Sequence, residues 1–243
     1  LFLTQFKIMT LDQLIYQVYE RLDINADDTS ADDRLIEQLI NQQRSLWIRN
    51  EYNKNRSIDV NVVQDLGCIP IIPVDRAVEC CDVALGCTIL RTAEPIPNTI
   101  ELHHDDTITR VGPIDMLGRA YKELEYPSEV QFFGHGRVNS GFIYWFKRST
   151  SNGLYIYLVS RSNEQMKLLT DINVQGVFED PREAGRFRTC DNKPCWSPSH
   201  KYPMNDWMSN YVLGEVVKIM ATKIQAPQDL ESDNKDNTKT DNK

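Results

Sequence analysis

The hydrophobic period changes twice along this chain, and those two changes constrain the fold more than any other feature. Residues 11–22 place Leu11, Leu14, Ile15, Val18, Tyr19 and Leu22 at helical spacing, with Thr10 positioned to cap the start. A turn-rich acidic stretch, 25–30, leads into a second helical stripe over about 31–53 made of Leu35, Ile36, Leu39, Ile40, Trp47 and Ile48. Asp32 and Asp33 suit its positive end, and Arg44, Arg49, Lys54 and Arg56 crowd the other. From about 57 to 200 the period becomes two, with turn residues every 8–12 positions. Over 204–224 it returns to helical, with Trp207, Met208, Tyr211, Val212, Val216, Ile219 and Met220 on one face and Asn205 or Asp206 as cap.

The pattern predicts an α+β chain: an N-terminal helix pair and a C-terminal helix in a small bundle, and a central, mostly antiparallel β domain. The boundaries are 10–56 for the helical hairpin, 57–202 for the β-rich body, 203–225 for the C-terminal helix and 226–243 for an extended polar tail. Within the body, Ile58, Val60 and Val62 alternate, Ile69–Val74 is apolar but broken by Pro70 and Pro73, and Cys87–Leu90 and Thr107–Val111 are short strands. The clearest hairpin joins 142–147 to 154–159 through a turn over 148–153, where Asn152-Gly153 supplies positive φ. Residues 172–178 alternate until Asp180-Pro181 stops them, and 114–124 read as a short helix. Aromatics at 144, 145, 146, 155 and 157 make both faces of the hairpin apolar, so a second sheet or another subunit must cover the outer one.

Size and charge exclude several classes. At 243 residues the chain can bury a substantial core without staples, and it contains no apolar run of the ~20 residues a membrane helix needs. A net charge of −8 argues against a protein that coats nucleic acid through its whole surface. The first nine residues lack the pattern of a signal peptide, and Met9 is a candidate start. Six cysteines are too dilute for a secreted disulfide scaffold, and all six are read as thiols of a reducing compartment.

Motifs for chemistry are weak. Cys190, Cys195 and His200 are zinc-ligand types, and Cys68, Cys80, Cys81 or Cys87 would supply a fourth. Structural zinc sites bring tight pairs, however, and this single Cys-x4-Cys is flanked by Pro194 and Pro198, so a plain loop with idle thiols is the favoured reading. His103-His104-Asp105-Asp106 reads as a solvated turn, and Gly134-His135-Gly136 as a chain reversal. No nucleophile elbow, P-loop or dinucleotide fingerprint occurs, and the expectation is a non-enzyme without cofactor. Residues 151–225 carry nine bases against eight acids, whereas residues 1–60 carry ten acids against seven bases. Lys147, Arg148 and Arg161, with Arg182, Arg186, Arg188, Lys193 and Lys201, are candidates for a face toward DNA or an acidic partner; a merely solvated surface is the commoner outcome.

Residues 172–187, Ile-Asn-Val-Gln-Gly-Val-Phe-Glu-Asp-Pro-Arg-Glu-Ala-Gly-Arg-Phe, resemble a strand-plus-turn signature in structural proteins of crAss-like, short-tailed bacteriophages. Asp12–Asn53 resembles the paired helices that open phage head–tail connector (neck or ring) proteins, and 202–207 with the following helix and tail resembles their closing segment. The likeness covers about half the chain. It implies a ring beneath the portal protein, generally of twelve-fold symmetry. Such a ring bridges the portal to the tail or other neck proteins and helps retain packaged DNA in the virion. It transfers no catalytic residue. A heterologous ring needs two different sticky surfaces on each copy. The tail, with Pro227, Asp229 and Leu230, is expected to dock on the portal or a neighbouring copy, since its composition cannot order it alone.

Overall fold

The computed structural model describes residues 9–22, 32–74, 88–102, 107–115, 117–126, 129, 141–160 and 163–225. Helix α1 spans Leu11–Leu22 and α2 spans Asp33–Asn55. Thr10 closes a reciprocal cap on α1: its hydroxyl accepts from the Gln13 N–H at 3.4 Å, and its own N–H donates to Gln13 Oε1 at 3.3 Å. Asp32 caps α2 by accepting from the Arg34 N–H, and Arg56 ends that helix in the left-handed conformation (φ 52°). Most of the acidic connection between the two helices lies outside the described residues.

Among the described residues eight strands follow: β1 Gln64–Asp65, β2 Ile69–Pro73, β3 Thr88–Thr92, β4 Ile108–Gly112, β5 Lys122–Glu123, β6 Tyr144–Thr150, β7 Gly153–Ser160 and β8 Asp171–Gly176. Their order is β1-β8-β2-β3-β7-β6-β5, and β4 also pairs with β8. Every pairing is antiparallel except β5 with β6. A short helix α3 (Asn163–Leu168) separates β7 from β8, and α4 (Asp206–Gln225) closes the described chain. Asn205 caps α4, its carbonyl accepting from the N–H groups of Met208 and Ser209.

The three long helices and one face of the sheet share a core. Leu14, Val18, Ile36, Ile40, Val212 and Val216 from the helices join Trp145, Ile156, Leu158, Ile172 and Val174 from the strands. Each such side chain contributes roughly 1.5–3 kcal/mol on burial. The opposite face of β6 and β7 carries Tyr144, Phe146, Tyr155, Tyr157 and Val159, which cluster with Ile89 and Leu124. Phe146 and Tyr157 stack there at 5.2 Å. These residues are buried within the single chain, so the doubly apolar hairpin needs no second subunit to cover it.

Four other expectations change. Ile58, Val60 and Val62 do not form a strand: 60–62 is a 3-10 turn, because the Asp59 carboxylate accepts from the Asn61 N–H at 2.8 Å and bends the backbone. The helix read over 114–124 is replaced by a tight turn and β5. There Asp115 Oδ1 accepts from the Leu117 N–H at 2.9 Å and the Asp115 carbonyl accepts from Gly118. The hairpin loop is two residues, Ser151-Asn152, since Thr150 pairs with Gly153 (φ 127°) and strand structure reaches further toward the tip than residue 147. Trp207 and Tyr211 lie off the buried stripe of α4, which is instead Met208, Val212, Leu213, Val216 and Met220.

Candidate assembly surfaces

Arg44 fixes how the helical layer sits on the sheet. It is fully buried, and its guanidinium donates at 2.8 Å to the carbonyls of both Pro203 and Phe178, from the lead-in to α4 and the segment after β8. The Tyr202 ring lies 5.7 Å from the Arg44 guanidinium carbon, and the Tyr202 hydroxyl donates to Asn41 Oδ1 at 2.6 Å. Asn41 Nδ2 in turn donates to Asp180 at 3.3 Å. Burial holds the Arg44 pKa down and pushes that of Tyr202 up.

With α2 and α4 held side by side, an aromatic ledge forms on their outer surface. Trp47 lies 5.0 Å from Tyr211 and 6.5 Å from Trp207, ring centre to ring centre. Trp207 is 47% exposed and Tyr211 56%, so large amphipathic rings stand in water together, the composition typical of interface anchors. Gly214, one turn beyond Tyr211, has no neighbouring atom within 4 Å of where a Cβ would stand. Beside Trp207 opens a pocket of about 220 Å³ between the end of α2, the 57–62 turn and the start of α4. Asp59 on its rim is held below the usual carboxylate range, chiefly by the Asn61 backbone N–H.

A larger groove, about 850 Å³, runs along the other side of α2 against 100–101 and 179–182. Its walls mix charges. Glu37 pairs with Arg182, yet burial raises the Glu37 pKa against that pull. Glu179 is raised by burial and by the carboxylates of Glu101 and Glu183.

Of the residues nominated from sequence, Lys147 and Arg148 lie inside β6 rather than at the loop, opposite Ile156 and Tyr155; Lys147 is exposed and Arg148 half-buried. Arg161, Cys80, Cys81, Cys87, the 103–106 and 134–136 motifs, and Pro227, Asp229 and Leu230 lie outside the described residues. The proposed basic face is partly neutralised: Arg182 pairs with Glu37, Arg186 with Glu183 at 3.9 Å and Lys201 with Asp206 at 3.5 Å.

The cysteines differ most from expectation. Cys68 and Cys190 are joined as a disulfide across 122 residues, which corrects the reading of six free thiols. The Cys68 N–H donates to the Arg188 carbonyl, bringing together positions that sequence spacing cannot relate. Gly67 makes this approach possible: it adopts φ 68°, and a Cβ there would stand 2.5 Å from the Arg188 oxygen. In this pairing Cys190 offers no thiolate to a metal. Cys195 is a free thiol raised to about 11 by burial and by the nearby Asp65 carboxylate, and His200 is exposed. Among the described residues no group of three or more His, Cys, Asp or Glu side chains is placed to hold a metal ion.

What remains is a set of surfaces suited to contact with other chains. Comparison with known proteins agrees: residues 13–242 match the family described as phage tail ring protein 2. The chain belongs to that family. It is also 24% identical over 234 residues to Ring protein 2 of Bacteroides phage crAss001, covering 94% of this chain and 97% of the relative. This bacteriophage ring protein is therefore a structural component of a virion, and the likeness seen at both ends and in β8 extends over residues 13–242. Among its described residues no helix is long and apolar enough to cross a membrane.

Proposed function

We propose that copies of this protein close into a ring in the virion neck, twelve-fold like the portal, which joins the portal protein to the tail or other neck proteins and helps retain packaged DNA. The family match over residues 13–242 carries this reading. The exposed aromatic ledge supports it, because a ring subunit needs apolar area beyond its own core. Native mass spectrometry and electron microscopy of the full chain with and without portal protein test it. The expected result is a ring of the portal's symmetry. A chain that stays monomeric and binds no portal refutes it, and binding to tail components alone moves the protein to another auxiliary place in the virion.

Two finer assignments belong to the same reading. Lys147 and Arg148 on β6, with Arg161, contact DNA phosphates in the channel, and charge reversal of Lys147 and Arg148 should then lower genome retention in a salt-dependent way. Particles with normal retention would remove this role. The segment with Pro227, Asp229 and Leu230 docks on the portal or an adjacent copy. A chain truncated after Ala226 that still assembles at full occupancy would end that idea.

A further inference from the structure

The most exposed large apolar side chain among the described residues is Leu117, 96% accessible, in the turn between β4 and β5. Ile114, 42% exposed, stands three positions before it. This turn is braced from below. Arg110 of β4 donates to the Gly118 carbonyl at 3.2 Å, Asp115 Oδ1 accepts from the Leu117 N–H, and a Cβ on Gly118 would collide with the Pro113 ring. Leu117 and Ile114 thus stand in water on one turn, and the hydrogen bonds that hold the Leu117 N–H and the Gly118 carbonyl lower the entropy lost when a partner covers them.

The pocket beside Trp207 has the complementary character. Ile48, Tyr52, Ile58, Trp207 and Met208 line it, and the carboxylates of Glu51 and Asp59 stand at its edge. Its volume of about 220 Å³ would hold roughly seven waters, or one to two branched aliphatic side chains. The turn that carries Leu117 is followed by Arg119, exposed and stacked over Phe142 at 4.4 Å. A basic residue beside the knob and acids beside the socket give the pair a preferred orientation. The two features lie on different parts of the fold, one at a sheet turn and one in the helical layer, which is the arrangement a heterologous ring requires.

We propose that Leu117 of one copy seats in the pocket formed by α2, the 57–62 turn and α4 of the next copy, with Arg119 facing Glu51 and Asp59. The proposal rests on the reading that copies of this chain form a ring, and it names the junction.

The test places a photo-crosslinking p-benzoylphenylalanine at position 117 of the full chain and mixes it with a heavy-isotope copy, alone and with portal protein. Crosslinks from 117 to peptides covering 48–59 or 205–208 of the other isotope are expected. Oligomers whose crosslinks from 117 land elsewhere overturn this junction and leave the ring intact. A chain monomeric under both conditions overturns the ring and the junction together. In a second arm, Leu117→Asp and Trp207→Ala each weaken association about 10–100-fold, as loss of a buried large side chain implies, with the folded state checked by circular dichroism. Mixed one to one, they should stop at dimers, because the mixture can form a single intact junction per pair. Rings from either variant alone at the concentration where the parent chain first forms them refute the assignment.

Discussion

Replacing Arg44 by methionine tests what ties the helical layer to the sheet. Methionine has a similar reach and fills the site, so cavity formation is small. The loss is polar: the carbonyls of Phe178 and Pro203 each lose a charged donor at 2.8 Å, and both acceptors sit in a fully buried environment. An unsatisfied buried acceptor costs about 1–3 kcal/mol, giving roughly 2–6 kcal/mol for two. Against this, the variant no longer buries a guanidinium held by backbone carbonyls, a gain of about 1–2 kcal/mol. A net destabilisation of about 1–4 kcal/mol follows. In a chain of this size that lowers Tm by roughly 2–4 °C per kcal/mol. Urea titration followed by far-ultraviolet circular dichroism and tryptophan fluorescence, with coincident transitions required, gives the number. A variant as stable as the parent or more so refutes the reasoning. It would mean that the guanidinium costs more in lost hydration than its carbonyl partners return, and that the layers are held by apolar packing alone.

Three further outcomes follow from individual groups. Burial, and then the hydrogen bond that Tyr19 donates to Asp33 at 2.7 Å, raise the Tyr19 pKa to about 12, so the folded state keeps a proton that the unfolded state loses first. The parent should lose stability as pH rises from about 10 to 12, while Tyr19→Phe shows less of this dependence in alkaline denaturation; identical slopes would count against a raised Tyr19 pKa in the folded state. Alkylation before and after reduction, read by peptide mass, should label Cys68 and Cys190 only after reduction, and Cys195 only slowly below its pKa of about 11; labelling of Cys68 without reductant would disprove the pairing. Gly214→Ala should stabilise the isolated chain by about 0.5–1 kcal/mol in the same titration, since the backbone is helical and the added methyl meets nothing.

The helices were legible because their signals are local. Thr10 and Gln13 cap α1, Asp32 caps α2, and the 3.6-residue stripe needs no knowledge of the partner surface. Strands β6, β7 and β8 were equally plain, since β-branched and aromatic residues alternate along them. Reading failed where a short side chain captured the backbone. Asp59 turned an alternating segment into a 3-10 turn, and Asp115 turned a helical spacing into a knob. Neither event leaves a periodic trace.

The sequence by itself determined the class of the fold and the order of helix, sheet and helix, because capping and periodicity act within a few residues; the likeness at the two ends and in β8 lay in the residue strings themselves. Only the tertiary structure decided which apolar groups are left over. It buried both faces of the hairpin that had suggested an interface and exposed Trp207, Tyr211 and Leu117 instead. It also brought Cys68 to Cys190 and set Arg44 against carbonyls 134 and 159 positions away. Exposure and convergence depend on which surfaces meet across the whole chain, and no local pattern carries that information.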